Sequence, residues 1–231
     1  MSPLSSLTTR RLIALGALVG LSALVVTMVA VRISATGSLD YFNLVWNLVL
    51  AWIPLGLALI LYDSARRGVA GHWLLSLGAL WLLFFPNAPY LMTDLKYLRE
   101  VGGAPFWFDA VLAVSAAVAG LALGFLSLYL VHAVVQRRFG AVWAWVGVWA
   151  ILLVGSVGVF LGRYQRFNSW DVFTDPGPIL SDLAKGLSDP LNYPKVLAVT
   201  IVFSGFLVGG YAIFYALARF SRLLDDEPQS I

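Results

Sequence analysis

Cysteine is absent from the 231-residue chain, which excludes disulfides, thiolate catalysis, cysteine-ligated clusters and lipidation at cysteine. That absence fits either side of a membrane. Charge is scarce as well: charged residues make up 12% and hydrophobic residues 60%. A soluble domain is about one-quarter charged, so this composition excludes an ordinary soluble protein. The two histidines, His72 and His132, belong to no His-x-x-x-His or Glu-x-x-His pattern, which argues against haem or a zinc-protease site. No glycine-rich phosphate loop is present either. Gly155-Ser156-Val157-Gly158 lies in an apolar run with no partner base and reads as helix packing.

What the chain has instead is six long apolar stretches, at about 11–33, 41–62, 72–91, 108–135, 141–162 and 195–218. Each matches the ~20 residues needed to cross a bilayer. The expected fold is therefore all-α: one integral membrane domain over 1–231 with six transmembrane helices. The first stretch follows Arg10-Arg11 and is longer than a signal core. It closes at Arg32 without a small-residue cleavage site and reads as a retained anchor.

The net charge of +3 does not point to nucleic acid, because the basic residues flank apolar runs. Arg10-Arg11, Arg66-Arg67, Arg137-Arg138, Arg219 and Arg222 fall on one face. Arg32, Lys96, Arg99, Arg163, Arg166, Lys185 and Lys195 fall on the other. The compact Arg-Arg pairs share a face, which predicts cytoplasmic termini in an inner (plasma) membrane. Trp73, Trp143 and Trp145 near one boundary and Trp46, Trp107 and Trp170 near the other fit interfacial belts. Trp52, Trp81 and Trp149 sit deeper. Small residues at four-residue spacing (Ala116, Gly120, Gly124; Gly158, Gly162; Gly205, Gly209) predict close helix packing within the chain.

Two polar segments interrupt this pattern, and the predicted orientation puts both at the outer face. In Phe85-Pro86-Asn87-Ala88-Pro89-Tyr90-Leu91-Met92-Thr93-Asp94, the two prolines remove backbone donors and disfavour helix before them. Regular helix should be lost from about Phe85 to Tyr90, with the Asn87 side chain serving a freed carbonyl. The segment reads either as a capped helix end or as part of a site. The second segment is Gly162-Arg163-Tyr164-Gln165-Arg166-Phe167-Asn168-Ser169-Trp170-Asp171. Arg163 and Arg166 share a helix face and suit a phosphate or carboxylate; pairing with Asp94, Asp109 or Asp171 is the structural alternative. Asn43 and Asn47 lie one turn apart near the same boundary, and Asp109 at the start of span four suits an N-terminal cap. Within the long connection at 163–194, residues 178–187 can form a short interfacial helix.

These two segments, 85–95 and 162–171, resemble the signature segments of a bacterial membrane family, the domain of unknown function 1361, over about 43–220. The resemblance implies a polytopic bacterial membrane protein and brings no activity, substrate or cofactor with it.

The residues themselves support three readings. One is an enzyme acting on a lipid-linked or anionic group, with Asp94, Asp109 or Asp171 as catalytic acid or base. Asn87, Tyr90, Arg163, Arg166, Asn168 and Trp170 would bind the ligand. Another is a non-catalytic scaffold or assembly subunit whose charges are consumed internally. Transport fits less well, because the halves show no repeat and the helix break lies near the surface. Membrane lipids are the expected partners, along with a membrane-protein partner; neither a metal nor a cofactor is implied.

Overall fold

A computed structural model describes residues 3–99, 103–165, 167, 169, 171–179, 181 and 194–226. Among these the chain is all helical. The elements run α1 (Pro3–Thr36), α2 (Phe42–Arg66), α3 (Gly71–Phe84) and a single turn α4 (Asn87–Tyr90). A 3₁₀ stretch follows (Leu91–Arg99), then α5 (Phe106–Phe139), α6 (Ala141–Phe160), a π-helical turn (Leu161–Gln165), α7 (Asp171–Thr174) and α8 (Pro194–Asp226). Six of these helical stretches are long and apolar enough to cross a membrane: Arg11–Thr36, Phe42–Arg66, Gly71–Lys96, Phe106–Phe139, Ala141–Gln165 and Leu197–Phe220. The interfacial helix expected at 178–187 lies mostly outside the described residues.

Short glycine-bearing connections end several helices. Gly37 and Gly140 adopt φ of 69° and 88°, where a side chain would be strained and glycine is not. Their amides close the preceding turns, Gly37 onto the Ile33 carbonyl at 2.8 Å and Gly140 onto the Gln136 carbonyl at 3.0 Å. This satisfies carbonyls that a helix end otherwise leaves open. α2 runs unbroken through Pro54.

The chain divides into two compact units, Met1–Leu57 with Phe84–Ser127 and Ala58–Leu83 with Leu128–Ile231. In the first, the buried face of α1 carries Leu18, Val25, Val29 and Arg32, and that of α2 carries Leu44, Leu48, Ala51 and Leu55. Their steps of three, four and seven residues keep each set on one side of its helix. Trp52 donates from Nε1 to the Ser22 hydroxyl at 3.1 Å. In the second unit α6 packs against α8, burying Ala144, Val148, Leu152, Val159, Leu207 and Tyr211. Trp81 of α3 is buried, whereas Trp46, Trp73, Trp107, Trp143 and Trp149 are exposed.

Glycine spacing had two outcomes. A Cβ at Gly120 would run into the Ala88 carbonyl oxygen and come within 2.9 Å of the Leu91 Cβ; one at Gly124 would meet the Ala88 Cβ at 3.2 Å. This pair does permit close backbone approach. Gly205 and Gly209 do not: among the described residues nothing lies within 4 Å of a Cβ at either, and both are exposed. Glycine is frequent in membrane helices without serving an interface, so the expected close packing there is corrected.

Candidate functional site

The break in span three is narrower than the sequence suggests. α3 stops at Phe84, but a helical turn resumes at Asn87–Tyr90. The expected loss of helix from Phe85 to Tyr90 is thus confined to Phe85 and Pro86. Pro86 takes the N-cap position and Pro89 falls within the same new turn. Amides of a first turn have no intrahelical acceptor, so a proline there loses nothing. Asn87 does what was expected of it, donating from Nδ2 to the Phe84 carbonyl at 2.9 Å. Thr93 closes the next turn by donating to the Tyr90 carbonyl at 2.6 Å. Tyr90 is half-buried.

This re-started turn is pressed into the glycine notch of α5, and the 3₁₀ stretch beyond it delivers Asp94 into the interior. Asp94 is 1% exposed and accepts from Asn47 Nδ2 at 2.9 Å. Of the two asparagines on α2, Asn47 therefore reaches the polar segment, while Asn43 is exposed.

Asp109 has a different fate from the cap foreseen for it. Its carboxylate is held by Arg32, Nε to Oδ1 at 2.8 Å and Nη2 to Oδ2 at 3.2 Å. Both partners are buried, at 1% and 3% exposure for Arg32 and Asp109. A full counter-charge in a planar fork outcompetes backbone amides for a carboxylate that water cannot reach. Tyr41 completes the group, with the Arg32 guanidinium 4.3 Å from its ring centroid. The sequence reading took Arg32 only as a topology mark. The one available signal was its three- and seven-residue spacing from Val29 and Val25, which puts it on the buried face of α1.

The second polar segment belongs to the second unit. Span five does not simply end; its last turn widens into a π-helix at Leu161–Gln165, and the Phe167 amide reaches back to the Leu161 carbonyl at 3.3 Å. Arg163 is half-buried in this turn and Tyr164 is exposed, its ring stacked on Phe160 with centroids 5.0 Å apart. Asp171 opens α7 and is half-buried. Arg166, Asn168 and Trp170 lie outside the described residues. The two polar segments fall in different units, and each is described on its own.

His132, which looked unpromising in the sequence, anchors an aromatic group in the second unit. It is 2% exposed, and its Nδ1 lies 2.8 Å from the Tyr211 hydroxyl. Tyr215 stacks on it at 5.0 Å and 15°, and Trp145 meets it edge-on at 5.0 Å. Its Nε2 has no hydrogen-bond partner among the described residues. No metal-binding motif could have flagged this residue, because its neighbours are hydroxyls and rings. Among the described residues no group of three His, Asp or Glu side chains could hold a metal ion.

Six helices long and apolar enough to cross a membrane define a multi-pass helical membrane protein. The chain belongs to the family described as "Protein of unknown function (DUF1361)", which it matches over residues 46–223. No curated protein and no solved structure matches it.

Proposed function

We propose that the segment at the end of span five, residues 161–171, binds an anionic headgroup of a lipid or lipid-linked substrate at the outer face of the inner (plasma) membrane, with both termini cytoplasmic. The observation that carries this reading is the π-helical turn at Leu161–Gln165 with Arg163 half-buried in it. π-Turns are rare and recur at functional sites, and a guanidinium at the end of a span suits a phosphate bidentately. In this reading Arg163 and Arg166 hold the phosphate, Asn168 and Trp170 flank it, and Asp171 is the acid–base candidate. Asp94 and Asp109, held by Asn47 and Arg32, belong to the first unit and are not part of this reading.

The same Arg32–Asp109 pair favours a second reading, a non-catalytic scaffold whose charges serve only cohesion. Arg163→Lys separates the two. The headgroup reading expects weaker retention of an anionic lipid with thermal stability unchanged, since charge is kept and the planar fork is lost. A drop in stability with lipid retention unchanged would favour the scaffold.

A further inference from the structure

Arginines gather at a second place, in the other half of the polar inventory. Arg66 ends α2 and Arg67 follows it; Arg137 and Arg138 occupy the last turn of α5. All four are exposed, and among the described residues none forms an ion pair, not even with Asp63 one turn earlier. Two of them converge on one phenol. The Arg66 guanidinium lies 6.0 Å from the Tyr62 ring centroid and that of Arg137 lies 5.5 Å from it. Arg137 Nη2 also donates to the Tyr62 hydroxyl at 3.3 Å. All three residues lie within the second unit.

We propose that Arg66 and Arg137, spaced by Tyr62, form a binding site for the phosphate of an anionic phospholipid headgroup. Two cations drawn to one ring repel each other, and no carboxylate among the described residues is paired with either, so an anion between them relieves that repulsion. Their depth selects the occupant. Arg66 is the last residue of one span and Arg137 stands two residues from the end of another, the level at which lipid phosphates lie. Basic pockets between spanning helices at this level take anionic headgroups. Tyr62 fixes the distance between the two forks, and contact with the ring limits the side-chain freedom lost on binding. Val69 and Phe139, just past each arginine pair, are exposed and apolar, which suits them to an acyl chain. Topology alone would ask for positive charge here; it would not ask for two guanidiniums on one tyrosine.

The test is a native mass-spectrometric titration of the full chain in detergent with phosphatidylglycerol and, separately, phosphatidylcholine. Arg66→Gln/Arg137→Gln should weaken phosphatidylglycerol binding by about 25-fold, roughly fivefold for each arginine near a headgroup surface. Arg67→Gln/Arg138→Gln removes the same charge away from Tyr62 and should cost clearly less than the Arg66/Arg137 pair. Arg66→Lys/Arg137→Lys keeps the charge and loses the forks; it should bind clearly more weakly than wild type, as should Tyr62→Leu. Phosphatidylcholine binding should not change in any variant. Equal losses in the two glutamine doubles would mean a diffuse charge effect and overturn the site. Wild-type binding by the lysine double or by Tyr62→Leu would overturn it as well.

Discussion

Arg32 and Asp109 in the first unit meet as full opposite charges, buried and joined by two hydrogen bonds. His132 in the second unit meets three rings, one of them the Tyr211 phenol, with no acidic group among its described contacts. Both are polar groups within or beside spanning helices, yet their energetics differ in kind. A buried ion is tolerated only while its partner stays, whereas an uncharged group can lose a partner at the cost of one hydrogen bond. The first unit should therefore be brittle toward single polar substitutions and the second forgiving.

The largest effect should come from halving the ion pair. Arg32→Met or Asp109→Leu alone strands a buried charge and should destabilise by about 3–5 kcal/mol. The double change Arg32→Met/Asp109→Leu should recover most of that loss, because apolar side chains replace both ions. Thermal unfolding in detergent checks all three proteins. A double mutant as unstable as either single would mean that the pair contributes through something other than mutual charge.

Next comes the notch beneath the broken span. Gly120→Ala drives a methyl into the Ala88 carbonyl, which belongs to backbone and cannot swing away; such overpacking costs about 1–3 kcal/mol. Gly205→Ala meets open space and should be neutral or stabilising by up to about 1 kcal/mol through helix propensity. The same substitution at two glycines of similar sequence context should thus have opposite signs in the two units. Equal effects on unfolding temperature would break the contrast.

Asn87→Ala should follow, at about 1 kcal/mol, since it removes one side-chain bond to the Phe84 carbonyl. That role was legible in the sequence, as were the spans and the place of the break, because each rests on residues a few positions apart. Hydrophobic length and proline chemistry act locally. The turn that re-forms at Asn87–Tyr90 has a local cause too: proline breaks a helix interior but suits a first turn. The pairings were out of reach for a different reason. Arg32 and Asp109 are 77 residues apart, and Asn47 and Asp94 are 47 apart. A sequence with several arginines and aspartates near the ends of its spans allows many matchings, and only tertiary packing selects among them. Asn47 was placed near the right boundary without its partner. His132 has no metal-ligand spacing in the sequence to mark it, and its partners are Tyr211, Tyr215 and Trp145.

The smallest effect, and the sharpest probe of the second unit, is at His132. His132→Phe loses the bond to Tyr211, but it keeps a flat ring against Tyr215 and Trp145 and removes the buried Nε2 that has no described partner. Those losses and gains nearly offset, so the change should lie within about 1 kcal/mol of wild type. Tyr211→Phe is the informative counterpart. It takes away the Nδ1 partner and leaves the imidazole with neither described bond, the costlier arrangement because an unsatisfied buried nitrogen keeps its full desolvation penalty. Tyr211→Phe should therefore unfold at a lower temperature than His132→Phe, although both delete the same hydrogen bond. If His132→Phe proves the more damaging, the imidazole is bound to something beyond Tyr211. The second unit would then hold a polar requirement as strict as the ion pair of the first.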